Sequence, residues 1–191
     1  MASRPILRKL HCIAAMDSTR GIGKNGDLPW KLPKELQTFH NITTSVKCEG
    51  KQNAVIMGRL TYFSNPEHLR PFKDRLNVIL SKTLTPEDVP ADVLISRSLE
   101  ECVELLSCEP YCDTIENLFV IGGSNVYDTA MSSGFCERIY LTEVYGEFDC
   151  DTFYPVFDKD MFREITPEGL CQDIQEENGI QYKFHVYSSS E

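Results

Sequence analysis

Residues 21–30 read Gly21-Ile22-Gly23-Lys24-Asn25-Gly26-Asp27-Leu28-Pro29-Trp30, and a lone carboxylate, Glu35, lies five positions after the tryptophan. The run contains Gly21-x-Gly23-x-x-Gly26, which by spelling is a dinucleotide-binding fingerprint. Such a fingerprint must open a helix and be followed about 20 residues later by an acid. Neither condition is met. Asn25-Gly26 is a turn dipeptide, Pro29 blocks a helix one turn later, and the residue 20 on from Gly21 is Asn41. The stretch is expected instead to be a mobile, glycine-hinged loop ending in an aromatic, whose use depends on what it covers.

Beyond the loop, Pro33–Thr44 reads as a helix, with proline in its favoured first turn. Its apolar stripe is Leu32, Leu36, Phe39 and either Ile42 or Thr43. Glu35 lies three residues after Leu32 and four before Phe39, so it sits on that stripe and not opposite it. Two readings fit. A first-turn glutamate can serve the helix dipole at a surface boundary. A carboxylate in an apolar pocket has its pKa raised by desolvation and can donate a proton or anchor a cationic heterocycle.

The same alternation of short apolar runs with helical stretches continues along the 191-residue chain. Lys9–Met16, Asn53–Met57, Leu76–Leu80, Val93–Ile95, Asn117–Ile121 and Ile139–Val144 read as strands. Ser98-Leu99-Glu100-Glu101 is a capping box opening a helix to about Ser107, and Ser124–Ser132 reads as another helix. In Ile180–Tyr187 the apolar residues alternate, which suits an antiparallel strand near an edge. The acidic turn Gly146–Asp151 is expected to link two late strands. The pattern predicts an α/β fold with a mostly parallel sheet and a C-terminal antiparallel hairpin.

Composition narrows the function. With 41% hydrophobic and 25% charged residues, the chain can bury a core and is not disordered. A net charge of −10 argues against nucleic acid and anionic membranes as partners. The eight cysteines include no CxxC, no histidine neighbours the Cys108/Cys112 pair, and the N-terminus has no apolar signal core. Free thiols in a reducing cytosol are expected, and no metal site.

An acidic chain that binds an anion must gather its cations locally. Arg59, Lys82 and Arg97 each come just after the C-terminal end of an expected strand, where open α/β sheets bind ligands. Gly122-Gly123 lies between an apolar strand and a helix start, a place where backbone approaches phosphate closely. Arg75 differs, because it precedes a strand and could pair bidentately with a carboxylate.

These pieces, in order, resemble dihydrofolate reductase of the eukaryotic type. The matching blocks are GIGKNGDLPW (21–30), VIMGR (55–59), RPFKDRLNVILS (70–81), SRSL (96–99), VIGGSNVY (120–127), DTFYP (151–155) and GIQYKFHVY (179–187). The resemblance covers Lys9 to about Tyr187 and implies one domain over 1–191, with residues 1–8 an N-terminal extension, and a central eight-stranded sheet flanked by helices. It implies NADPH-dependent reduction of 7,8-dihydrofolate to 5,6,7,8-tetrahydrofolate by a cytoplasmic monomer that also binds antifolates. Carried over residue by residue, Glu35 holds the pterin and assists protonation, Thr142 hydrogen-bonds that carboxylate, and Trp30 and Leu28 close over the cleft. Ile13, Ala15, Leu36, Phe39, Ser64, Pro66, Ile121 and Tyr127 would line it, and Arg75 would take the substrate's glutamate tail. On the cofactor side, Ala15, Ile22 and Gly23 would meet the nicotinamide. Gly58, Thr61, Gly122, Gly123, Ser124, Asn125, Val126 and Tyr127 would surround the pyrophosphate, and Arg59, Leu80, Ser81, Lys82 and Arg97 the adenosine 2′-phosphate. The resemblance also implies cis peptides at Gly122–Gly123 and before Pro71. Departures from the family pattern are Leu36 for a phenylalanine, Tyr62 for the vertebrate tryptophan, Asn65 for an isoleucine, Leu60 for a cation and Lys82 for an arginine.

Overall fold

The computed structural model describes residues 6–190, so the first five residues of the expected extension lie outside the described residues. In chain order the elements are β1 (Leu10–Asp17), β2 (Gly21–Gly23), α1 (Pro33–Thr44), β3 (Gln52–Gly58), α2 (Arg59–Ser64), β4 (Arg75–Leu80), β5 (Val93–Ser96) and α3 (Leu99–Leu106). The chain continues with α4 (Tyr111–Thr114), β6 (Ile115–Val120), α5 (Ser124–Ser132), β7 (Cys136–Val144), β8 (Thr152–Phe153), β9 (Phe162–Ile165), β10 (Gln175–Glu177) and β11 (Ile180–Ser189).

Eight strands run in the order β10-β11-β7-β1-β6-β3-β4-β5, and β9 joins outside this path by pairing with β11. From β7 to β5 every neighbour is parallel, whereas β11 is antiparallel to β7, β9 and β10. Residue chemistry explains the division. Ala54, Val55, Ile56 and Met57 of β3 are all fully buried, as a parallel strand covered by helices on both faces requires. In β11 only alternate residues, Tyr182, Phe184 and Val186, are buried. The β10–β11 turn is Asn178-Gly179, both with positive φ (52° and 75°), as a two-residue hairpin with right-handed twist demands.

One face of the sheet packs Leu10, Cys12, Ile56 and Val120 against Leu99, Val103 and Leu106 of α3 and Ala130 of α5. The other packs Ile13, Val55, Met57 and Phe119 under Phe39 and Ile42 of α1. α1 thus lies over the centre of the sheet, and its two ends are fixed by distant residues. Leu32 at its N-cap cannot cap, and the Glu177 carboxylate of β10 accepts from Lys34 N instead, at 3.0 Å to each oxygen. At the other end the buried Asn53 amide donates to Thr43 O at 3.0 Å and Ser45 O at 2.8 Å. On α3, Ser98 accepts from Glu101 N as the capping box requires, but the Glu101 carboxylate reaches one residue further back, to Arg97 N.

One expectation needs correction. Gly21–Gly23 is not open loop: it is a short strand paired with Thr152–Phe153, and beyond it Lys24 and Asp27 close a hairpin through reciprocal backbone bonds of 2.9 and 3.0 Å. The acidic turn Gly146–Asp151 links two late strands as expected, β7 and β8, the second of which lies in this two-stranded sheet. Among the described residues, no helix is long and apolar enough to cross a membrane.

Candidate functional site

Strand register assembles the cleft. Gly58, Leu80 and Ser96 are lateral partners across β3, β4 and β5, so the residues next in the chain, Arg59, Ser81 and Arg97, leave the sheet side by side at its C-terminal edge. Two strands away, Ala15 of β1 pairs with Thr142 of β7. Between them the chain leaves β6 through Ile121, whose N–H donates to Ile56 O at 3.0 Å, and reaches a cis Gly122–Gly123 peptide. Gly58 N donates to Gly122 O at 2.9 Å, drawing β3 and this turn together. Gly122 has φ +132°, and a Cβ there would crowd Thr61 Oγ1 at 3.3 Å. A Cβ on Gly58 would meet Val126 at 3.4 Å. The α5 helix begins at Ser124 with no side-chain cap, which leaves its first amides for an outside acceptor. Tyr127, buried one turn into α5, donates its hydroxyl to Ile13 O at 2.7 Å. The cations here differ from one another. Arg59 and Lys82 are exposed and make no salt bridge among the described residues. Arg97 Nη1 is already bound to Ser81 O at 2.8 Å and Leu84 O at 2.9 Å.

The carboxylate lies on the other side of the cleft. Glu35 is only 6% exposed, so of the two sequence readings the pocket is the one realised. Thr142 Oγ1 donates to Glu35 Oε1 at 2.7 Å. Burial pushes the Glu35 carboxyl above its ordinary value, the Thr142 bond opposes this, and the charge of Glu177 adds to the rise, leaving it raised overall. A cavity of about 10 Å³ beside it, bordered by Ile13, Phe39, Leu141 and Phe184, is about the size of one water. Trp30 sits close by but is 5% exposed, packed with Leu32, Val144, Tyr182 and Phe184 and edge-on to Phe148 at 5.3 Å. Trp30 is therefore a packed residue at the end of the 21–30 stretch. Its buried Nε1 has no partner among the described residues.

Leu28 and Leu36 are 41% and 47% exposed, so Leu36 leaves the apolar stripe on which the sequence placed it. It is exposed, and Thr43 takes the buried position at the other end of α1. Ser64, the last residue of α2, and Pro66 just beyond it are exposed, with the Ser64 hydroxyl turned back to Thr61 O. Arg75 starts β4, at the far end of that strand from Ser81 and Lys82. It is 9% exposed, donates Nε to Lys73 O and Nη1 to Thr43 Oγ1, each at 2.9 Å, and lies 5.2 Å over the Phe72 ring. Two of its five N–H groups are used and no carboxylate pairs with it among the described residues. Arg70–Pro71, just before this strand, is cis, as is Glu109–Pro110, which no sequence motif foretold.

Comparison with known proteins decides what this cleft is. The family model described as dihydrofolate reductase matches residues 9–189. The chain belongs to the dihydrofolate reductase family. Membership makes it an oxidoreductase of the class that reduces dihydrofolate. The dihydrofolate reductase of Aedes albopictus is 42% identical over 181 residues, covering 95% of this chain and 97% of the relative. That of Rattus norvegicus is 42% identical over 189 residues, covering 97% of this chain and all of the relative. The solved structure of Schistosoma mansoni dihydrofolate reductase superposes with a TM-score of 0.85 at 36% identity, covering 96% of this chain and 100% of that one. Sequence reasoning missed three residues that shape this dihydrofolate reductase site: Asp17, Asn53 and Glu177. Only Asp17 carried a signal, a lone acid ending an apolar strand before Ser18-Thr19.

Proposed function

We propose that this chain, as one domain, reduces 7,8-dihydrofolate to 5,6,7,8-tetrahydrofolate with NADPH, and that Glu35 assists the protonation. The observation that carries the reading is the buried Glu35 carboxyl, held by Thr142 beside a one-water cavity in a largely apolar pocket. NADPH, when bound, supplies the hydride. The residues present suit that group. The glycine turn at Gly122–Gly123 and the uncapped amides of Ser124 and Asn125 would hold its pyrophosphate, with Thr61 and Val126 as walls. Arg59, Lys82 and the remaining donors of Arg97 would hold a 2′-phosphate next to Leu80 and Ser81. Ala15, Ile22 and Gly23 would border the nicotinamide end.

The other tasks fall to side chains. Glu35 would receive the pterin's amino and ring nitrogens, and its Thr142 bond fixes the carboxyl plane. Desolvation keeps a proton on it to higher pH than an exposed glutamate allows, which is what an acid working near neutrality needs. Leu28 and the hairpin tip would exclude water by closing, hinged between the β2–β8 pairing and the anchored Trp30 ring. Ile13, Leu36, Phe39, Ile121 and Tyr127 would enclose the ring, Ser64 and Pro66 would flank the linker, and Arg75 would take the tail.

The test is Glu35→Gln. At pH 7 the hydride-transfer step should fall by roughly 10²–10⁴-fold. In the wild type the rate should decline as pH rises through the raised Glu35 pKa, and that inflection should vanish in the variant. The substitution should move stability opposite to the rate. A carboxyl with a raised folded pKa binds more protons folded than unfolded, so it costs stability as pH rises through that window and above it. Glu35→Gln removes this cost and should raise the melting temperature at pH 7. An unchanged transfer rate in the variant would refute the assignment.

A further inference from the structure

Asp17, the last residue of β1, is 1% exposed, and neither the proton transfer nor the cofactor cradle uses it. A buried carboxylate must be satisfied, and its two oxygens are satisfied by two different segments. Oδ1 accepts from Thr19 N at 2.9 Å, the Thr19 hydroxyl at 2.8 Å and Gly21 N at 2.7 Å. Oδ2 accepts from Phe148 N at 3.0 Å and from Cys150 Sγ at 3.6 Å. The first set belongs to the root of the lid, the second to the turn Gly146–Asp151. Burial pushes the Asp17 carboxyl up, and the bonds from Thr19, Gly21 and Phe148 outweigh it, so the group lies below its ordinary value and is an anion at neutral pH.

The two segments also meet elsewhere: Ser18 N donates to Gly146 O at 3.0 Å, Gly146 N to Ser18 Oγ at 3.1 Å and Asp151 N to Gly23 O at 2.9 Å. They form the β2–β8 pair, and at the tip Asp151 Oδ2 accepts from Asn25 N at 2.7 Å. At the root the fit is tight: a Cβ on Gly21 would lie 2.4 Å from both Cβ and Sγ of Cys150 and 3.0 Å from Asp17 Oδ1. Only a glycine lets the lid root come close enough for both carboxylate oxygens to be used.

We infer that Asp17 is a positioning residue for the reduction, its carboxylate locking the lid root to the 146–151 turn and so setting where Ile22 and Gly23 stand over the cleft. An asparagine cannot replace it. The amide has one acceptor oxygen, so one segment keeps its partner while the other faces an N–H group. The inference rests on the hydride-transfer reading of the site.

The experiment is Asp17→Asn in the full chain, with single-turnover hydride transfer at pH 7 measured beside equilibrium binding of dihydrofolate and NADPH. Transfer should fall by about 10- to 100-fold, the cost of a displacement on the ångström scale, with dihydrofolate affinity changed by less than about threefold. Amide hydrogen exchange should accelerate at Gly21 and Phe148 together. Fluorescence of Trp30, the only tryptophan in the chain, should report a changed lid on NADPH binding. A variant that merely melts earlier, with an unchanged transfer rate, overturns the inference, and so do equal losses in rate and in both affinities. Gly21→Ala keeps the charge but wedges the segments apart. It should reproduce the rate loss, and adding Cys150→Gly should recover part of it; a silent Gly21→Ala also overturns the inference. Wild-type NADPH oxidation by dihydrofolate is the separate check on the hydride-transfer reading. If it fails, paired exchange at Gly21 and Phe148 still judges the lock.

Discussion

The two ends of strand β4 each present cations, and they are built on opposite principles. At the N-terminal end Arg75 is buried, stacked on Phe72 and fixed by Thr43 and Lys73, with three N–H groups left over. Burial pulls its pKa below the ordinary guanidinium value, though far from deprotonation. At the C-terminal end, five residue steps and roughly 16 Å away, Lys82 and its neighbour Arg59 are exposed and hold no partner among the described residues. A desolvated, pre-oriented fork recognises one planar anion in one geometry. Exposed flexible cations recognise charge. The first arrangement suits a carboxylate of fixed position, the second a phosphate on a cofactor that must leave after every turnover.

The contrast predicts unequal losses. Arg75→Leu removes the oriented fork at its end, so binding of dihydrofolate should weaken by about 2–5 kcal/mol if the pair is desolvated. A ligand with the diaminopyrimidine head but no carboxylated tail should lose little. The measurement is titration of one tailed and one tailless ligand against both proteins, and equal losses would mean that Arg75 supports the fold and not the tail. The companion change at the other end is Lys82→Ala with Arg59→Ala. Each exposed cation is worth only about 0.2–1 kcal/mol, so the pair should raise the apparent constant for NADPH by roughly two- to thirtyfold and leave NADH almost unchanged. Arg97 is the wrong residue for this test, because it ties Ser81 O and Leu84 O and its loss would unseat the loop. Equal weakening of both cofactors would remove these residues from the 2′-phosphate.

The sequence foretold the two ends of β4 unequally, and for a physical reason. Lys82, Arg59 and Arg97 were legible as a group because strand ends in a parallel sheet share an edge, and strands can be read from local patterning. The same local logic recovered α1 and α5 to the residue. Burial of Arg75 was not legible: it depends on Thr43 and Phe72, which only the fold brings together. Glu35 left two readings open for the same reason, since the pocket wall is Thr142 on β7, over 100 positions away. The lid was misread as open loop because its strand partner, Thr152–Phe153, is equally remote and Gly21–Gly23 carries no alternation of its own. The apolar stripe failed at Leu36 because periodicity marks an apolar side chain as core whether or not the fold covers it, and here it does not.

Salt separates the two ends most finely. Between roughly 0.01 M and roughly 1 M ionic strength the screening length shrinks from about 30 Å to about 3 Å. Exposed cations acting through charge lose most of their effect over that range. A guanidinium shielded by Phe72, Thr43 and the sheet would meet a ligand carboxylate where mobile ions hardly intervene. Dihydrofolate binding should therefore change by less than about threefold, whereas NADPH binding should weaken steadily and NADH binding should not. The Lys82→Ala, Arg59→Ala protein gives the internal control, because its NADPH constant should have lost most of the salt slope. If dihydrofolate affinity falls with salt as steeply as that of NADPH, the fork at Arg75 is hydrated in the complex. The larger loss predicted for Arg75→Leu would then shrink toward the value for an exposed pair, and the difference between the two ends of β4 would be one of position and not of kind.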